Sequence, residues 1–235
     1  MAIKRNLAMT GAEIRANAAL PENIGWMACH FSPYGTGITN LPPALPRGAM
    51  LILNDRTPIH GHDPERIAAQ LQQTMRQQRC ECLLLDFQRS GEPETAALVS
   101  HILDALPCPV AVSEGYAEGT GCPVFLSPLP ADVPLSDHIA PWNGREIWLE
   151  AALEGKVITL TEDGAASSPL PRWDTPEGGY QENSLHCHYT ISLTDTQAEF
   201  TLYRTREDLD NLLAEAEALG ITRAVGLYQE LGMLL

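Results

Sequence analysis

The chain is short of basic residues. Lys and Arg number 15 against 30 Asp and Glu, a formal net charge of −15. Such a surface repels nucleic acid and anionic membranes, so neither is expected as a partner, and a neutral or cationic small molecule fits better. The six cysteines (Cys29, Cys80, Cys82, Cys108, Cys122, Cys187) have no Cys-x-x-Cys spacing. Several fall within or beside expected strands, where a free thiol packs like a small hydrophobe. No apolar run approaches the length of a membrane span. No basic start, apolar centre and small-residue cleavage site mark a signal peptide. The expectation is a cytoplasmic protein with reduced thiols. Gly-x-Ser-x-Gly is absent, and no Ser-His-Asp or Cys-His set has a local signature. Tyr34-Gly35-Thr36-Gly37 lacks the third glycine and the following helix of a dinucleotide loop. That weighs against an open doubly wound sheet, the main rival architecture. There is no internal repeat and no clear linker, and nothing calls for a cofactor.

What is present suits a large core. Hydrophobic residues make up 44% and charged residues 19%, and 235 residues is a typical length for one α/β barrel. Residues 10–19 read as a short helix and 24–31 as a first strand. Pro42, Pro43 and Pro46 mark a rigid connection before a fully buried strand over 49–54. Asp63-Pro64 opens a helix with Ile67, Leu71 and Met75 on one face. Strands follow over 80–88, 109–113, 123–127 and 146–152, with a helix over 94–105 and a short one over 135–139. Segment 156–161 pairs beside the strand at 146–152, and 165–183 reads as an exposed loop. Strands at 186–193 and 198–203 form a hairpin, 207–219 is an amphipathic helix stopped by Gly220, and 224–228 is the last strand.

The most informative stretch is Cys82-Leu83-Leu84-Leu85-Asp86-Phe87-Gln88-Arg89. An apolar run ends abruptly in an acid, an aromatic, an amide and a base, as a buried parallel strand does where it opens into a site. Asp86 and Gln88 lie two residues apart and share a face. A carboxylate there can orient a neighbour and tune its proton affinity. An amide exchanges hydrogen bonds but cannot deliver a proton as an acid. The plainer alternative is that Asp86 caps a helix or pairs with Arg89 or Arg56.

Segment 80–88 resembles the fourth-strand signature of glycoside hydrolase family 18, the chitinase-like barrels, whose pattern is Asp-x-x-Asp-x-Asp-x-Glu. Aligned on its end, Glu81 takes the first acid, Leu84 the second, Asp86 the third and Gln88 the catalytic Glu. Only Asp86 matches outright. The last strand, Ala224 through Tyr228, resembles the family's final strand, where an aromatic floors the sugar subsite, so the resemblance makes Tyr228 that floor. In this family the substrate's own N-acetyl group is the nucleophile and the Glu is the acid/base. A Gln in that place implies a protein that binds sugar, N-acetylglucosamine-containing by analogy, with weak or no cleavage. The chain is short for the family, which implies no inserted domain and a shallow groove.

Other residues define the remaining candidates. Asn54, Asp55 and Arg56 end a strand, where polar groups line a barrel mouth. Glu114, with Tyr116 and Glu118 nearby, is the nearest spare carboxylate if an acid is needed. Glu150 shares a face with Trp148, as a groove wall or an outer contact. Trp26, Phe31, Tyr34, Phe87, Trp148 and Tyr228 lie near strand ends, and either stack on sugar or fill the core. His60-Gly-His62 and His186-Cys187-His188 are both His-x-His, a workable spacing for a divalent metal on a strand, against the reading of ordinary loop and surface histidines.

The expectation is an α/β protein, a single (β/α)8 TIM barrel over 1–235, somewhat degenerate in its second half. Its site lies at the C-terminal strand ends, with Asp86, Gln88 and Glu114 as catalytic candidates. Tyr228, Asp55, Glu150 and Trp148 are the substrate-binding candidates, and a carbohydrate or other small molecule is the ligand. A metal-dependent hydrolase and a non-catalytic interaction protein on a barrel are the alternatives.

Overall fold

The computed structural model describes residues 2–59, 61–89, 92–171 and 174–232. In chain order its first elements are β1 (Lys4–Met9), α1 (Gly11–Ala16), β2 (Ile24–Phe31), β3 (Ile38–Thr39), β4 (Met50–Asn54) and α2 (Pro64–Gln78). Then come β5 (Cys82–Asp86), α3 (Pro93–Ala105), β6 (Val110–Ser113), α4 (Glu114–Ala117), β7 (Val124–Leu126), α5 (Leu135–Ile139) and β8 (Ile147–Glu150). The last are β9 (Gly155–Thr161), β10 (Gly164–Pro169), β11 (Tyr180–Glu182), β12 (Cys187–Leu193), β13 (Gln197–Tyr203), α6 (Arg206–Ala218), β14 (Arg223–Leu227) and α7 (Tyr228–Leu231).

Short, continuously apolar runs such as β4 and β5 must be dry on both faces, and parallel pairing under helices achieves this. Eight strands, β1, β2, β4, β5, β6, β7, β8 and β14, run parallel in one sheet. β1 bonds to β14 on one side and to β2 on the other, so the sheet closes into a (β/α)8 barrel. Side chains alternate between lumen and helices. Met50, Ile52, Leu84, Phe125, Trp148 and Val225 fill the lumen. Leu51, Leu53, Leu83 and Leu85 face outward and pack with Ile67, Leu71 and Met75 of α2 and with Leu98 and Ile102 of α3. The carboxylate of Asp63 caps α2 by accepting from the Glu65 and Arg66 amides. The second half carries only short helices, α4 and α5, between β6, β7 and β8.

β1 is a strand where the sequence reads as polar and helical. Its first three residues are Lys, Arg and Asn, which hides the apolar alternation. The reason lies in the barrel floor: Lys4 and Arg223 both bind the carboxylate of Glu81, and Arg223 also donates to Asn6 at 3.0 Å. Burial pushes the Glu81 carboxyl up, but the hydrogen bonds and charges of Lys4 and Arg223 outweigh it and hold the group below the usual carboxylate range. The extra strand shifts the count by one, so β5 is the fourth barrel strand. Thr10 belongs to the N-cap of α1, in a capping box with Glu13, and the helix ends at Ala16.

Residues 155–203 are not part of the barrel. β10, β9, β13, β12 and β11 form a separate five-stranded antiparallel sheet inserted between β8 and β14. This corrects the expectation of a chain with no room for an insertion. Ile158 with Leu160, and Tyr189 with Ile191 and Leu193, carry the strand alternation, so the strands were readable. Their partners were not, because pairing is long-range. β10 is exposed along its whole length and gives no burial signal, hence its reading as a loop. Arg204, buried at the end of β13, ties the insert to the barrel through the carbonyls of Leu129, Pro130, Leu185 and His186. No helix among the described residues is long and apolar enough to cross a membrane.

Candidate functional site at the barrel mouth

The C-terminal ends of β1, β2, β4 and β5 surround a cavity of about 530 Å3. Asp55, Arg56, Asp86, Gln88 and Arg89 stand on its wall, with Thr10, His30, Asn40 and Asn54 as uncharged polar neighbours or imidazole. A smaller cavity of about 140 Å3 opens beside it, lined by Gln88, Ser113, Glu114, Phe125 and Ser127. Gln88 borders both.

Asp86 ends β5 on the same face as Leu84, which lies in the lumen, so the alternation aims its carboxylate up the barrel axis. The Gln88 side-chain nitrogen donates to Asp86 Oδ1 at 2.6 Å. Burial raises the proton affinity of Asp86, the nearby Asp55 charge adds to this, and the Gln88 hydrogen bond opposes it; the sum is upward. The carboxyl therefore gives up its proton at a higher pH than an ordinary aspartate does. With its nitrogen engaged, Gln88 leaves its carbonyl oxygen as an acceptor toward the cavity.

Asp55 is only 3% exposed. Its two oxygens accept the backbone amides of Gln88 at 3.0 Å and Arg89 at 2.8 Å, and its own carbonyl accepts from Arg89 Nε at 3.2 Å. Its role is to fix the segment that carries Gln88. Ser113 does the same from the other side, accepting the Phe87 amide at 2.9 Å and donating to the Leu85 carbonyl at 3.1 Å. Glu114 begins α4 and accepts from Ser127 Oγ at 2.7 Å, on the wall of the smaller cavity. The Asn40 side-chain nitrogen lies 2.9 Å from His30 Nε2, and the Phe31 carbonyl lies 2.9 Å from Nδ1. That is the hydrogen-bond pattern of an imidazole with its proton on Nδ1.

The structure thus brings Asp55, Asp86, Gln88 and Glu114 together. It places the other candidates differently. Trp148 is 1% exposed and fills the lumen below the mouth, its Nε1 donating to Glu146 at 3.0 Å with the Arg223 guanidinium 4.5 Å over the ring. Glu150 ends β8 on the lumen face that it shares with Trp148 and is half-buried. Tyr228 begins α7. Its ring packs with the outer apolar cluster, its hydroxyl donates to Asn17 at 3.0 Å, and it borders neither cavity. Trp26, Phe31 and Phe87 are core residues, and Tyr34 is exposed.

The two His-x-His pairs lie elsewhere. His186 precedes β12 and pairs with Glu215, and His188 pairs with Asp208 at 2.8 Å, both against α6. His62 packs edge-on against Phe31, and His60 lies outside the described residues. Among the described residues no group of three or more His, Cys, Asp or Glu is arranged to hold a metal ion.

Sequence reasoning missed Ser113 and Ser127 as parts of the mouth, and weighed Arg89 only as a partner for Asp86. A polar residue directly after the apolar runs 110–112 and 124–126 was the available signal, since strand ends face the site in this architecture.

No known family profile and no curated protein matches the sequence. Solved structures do match in three dimensions. The spore cortex-lytic enzyme SleL of Bacillus cereus is 10% identical with a TM-score of 0.60, over 96% of this chain and 70% of that one. A class V chitinase from Nicotiana tobaccum, solved as a glutamate-to-glutamine mutant in complex with NAG4, is 11% identical with a TM-score of 0.61, over 96% and 93%. A glycoside hydrolase family 18 N-acetylglucosaminidase from Paenibacillus barengoltzii is 11% identical with a TM-score of 0.60, over 95% and 94%. The fold is similar to that of glycoside hydrolase family 18 barrels, and at these identities the likeness is one of fold alone.

Proposed function

We propose that this protein binds an amino-sugar oligomer in the barrel mouth and cleaves it weakly or not at all. The observation that carries this reading is the Asp86–Gln88 hydrogen bond at the end of the fourth barrel strand. In the resemblance this is where an Asp supports the acid/base Glu. An amide there keeps the shape and the hydrogen bonding of the side chain but has no proton to give the leaving oxygen. The tobacco chitinase gives a parallel: a glutamine-for-glutamate form of that enzyme is in complex with NAG4. Asp86 and Gln88 would then hydrogen-bond the sugar's amide or hydroxyls, with Asp55 and Ser113 fixing the segment between them and Glu114 on the far wall.

Titration calorimetry with the N-acetylglucosamine tetramer tests the binding, and chromatography of the same mixture tests cleavage. Binding by the wild type, weakened in Gln88→Ala, with the tetramer recovered intact, is the expected result. Release of shorter oligomers by the wild type would mean that another acid, Glu114 first, serves the reaction. No binding by either protein would remove this substrate class.

A further inference from the structure

The mouth of this strongly acidic chain is balanced in charge: two carboxylates, Asp55 and Asp86, and two guanidinium groups, Arg56 and Arg89, line it. Asp55 is closed off, with both carboxylate oxygens holding backbone amides. Asp86 is half-buried and bonded to Gln88. Arg56 and Arg89 are both exposed on the cavity wall, and among the described residues no carboxylate pairs with either. Arg89 uses Nε on the Asp55 carbonyl, which orients the guanidinium, and among the described residues its terminal nitrogens have no hydrogen-bond partner. The Arg56 amide donates to Asn54 Oδ1 at 3.2 Å, which turns the chain and sets where the side chain leaves the wall. With both aspartates already engaged in hydrogen bonds, two guanidinium groups that have no carboxylate partner among the described residues offer their donors to an anion at this cavity. The planar fork of an arginine matches a carboxylate in particular.

We propose that the mouth selects amino-sugar chains that carry a carboxylate, received by Arg56 and Arg89. This rests on the reading of the mouth as a sugar site and adds the class of sugar. The carboxylate can belong to a uronic acid or to a lactyl ether, and both present the same group to the arginines.

The test compares three tetramers by calorimetry: N-acetylglucosamine alone, N-acetylglucosamine alternating with glucuronic acid, and N-acetylglucosamine alternating with its lactyl ether. At low salt at least one acidic tetramer should bind about tenfold or more tighter than the neutral one. The advantage should shrink as salt rises. It should fall to about parity in the double variant Arg56→Gln, Arg89→Gln. Arg56→Gln alone, at a side chain with no partner among the described residues, should lower the ratio with no change in the melting temperature. Which acidic tetramer binds tells the two sources apart. Equal affinity for all three overturns this inference and leaves the sugar reading standing. An acidic preference that survives both substitutions overturns the assignment to Arg56 and Arg89. No binding of any tetramer overturns both the inference and the reading beneath it.

Discussion

Asp55→Asn is the change that most directly probes how the mouth is held. The native carboxylate accepts two backbone amides, from Gln88 at 3.0 Å and Arg89 at 2.8 Å, while almost wholly buried. An asparagine of the same shape keeps one oxygen. Its nitrogen then faces an amide that needs an acceptor, so one charged hydrogen bond is lost and a donor confronts a donor. The cost is about 2 kcal/mol. With a urea slope of about 3 kcal/mol per M for a chain of this size, the unfolding midpoint should drop by about 0.7 M. Asp55→Ala frees both amides and should cost about 3 kcal/mol, or about 1 M. Because Gln88 is positioned by the same bonds, affinity for the N-acetylglucosamine tetramer should fall in both variants. A midpoint for Asp55→Asn within about 0.2 M of the wild type would refute the assignment of Asp55 as the anchor.

Three further outcomes follow from the geometry. Asp86 has its carboxyl raised, so the folded state holds that proton more tightly than the unfolded state. Stability is then greatest at acid pH and is lost as pH rises from the ordinary aspartate range through the folded value. Asp86→Asn should therefore raise the melting temperature at pH 7 and flatten its dependence over that window, and an unchanged slope would count against the burial argument. Glu81 runs the other way. Lys4 and Arg223 hold it down, so its contribution is present above the ordinary glutamate value and is lost as pH falls through the lowered one. After allowing for its partial exposure, Glu81→Gln should cost about 1 kcal/mol by urea titration. Gly226 lies in β14 where an added Cβ would fall against the Ala151 carbonyl oxygen of the neighbouring chain segment. Gly226→Ala should lower stability by about 2 kcal/mol without altering the ligand class.

The parts of the fold that could be read in advance are those set by local pattern. Leu83 to Asp86 shows a dry strand opening into a polar end, and Asp63-Pro64 shows a helix start. What could not be read depends on partners far away in sequence. The polar start of β1 makes sense only beside Glu81 and Arg223, which are 77 and 142 residues from their partners Lys4 and Glu81. The inserted sheet shows the same alternation as any half-covered strand, and only its antiparallel pairing separates it from the barrel. At the mouth, Asp86 and Gln88 were legible from their spacing on one strand. The role of Asp55 was not, because its bonds to Gln88 and Arg89 bridge more than thirty residues. The last strand ends at Leu227, one residue short of the expected 224–228, and Tyr228 begins α7; the barrel's alternation turns Leu227 toward the lumen cluster and sends the Tyr228 ring to the outer layer.

The central claim is that Gln88 is where hydrolysis stops. The most direct test is the rate of N-acetylglucosamine tetramer cleavage by Gln88→Glu against the wild type under saturating ligand. The glutamate would sit in hydrogen-bond contact with Asp86, and two carboxyls at that separation share one proton. Cleavage gained in Gln88→Glu, with binding but no turnover in the wild type, is the predicted result. Equal turnover by the two proteins, or none by the variant while it still binds the tetramer, would contradict it.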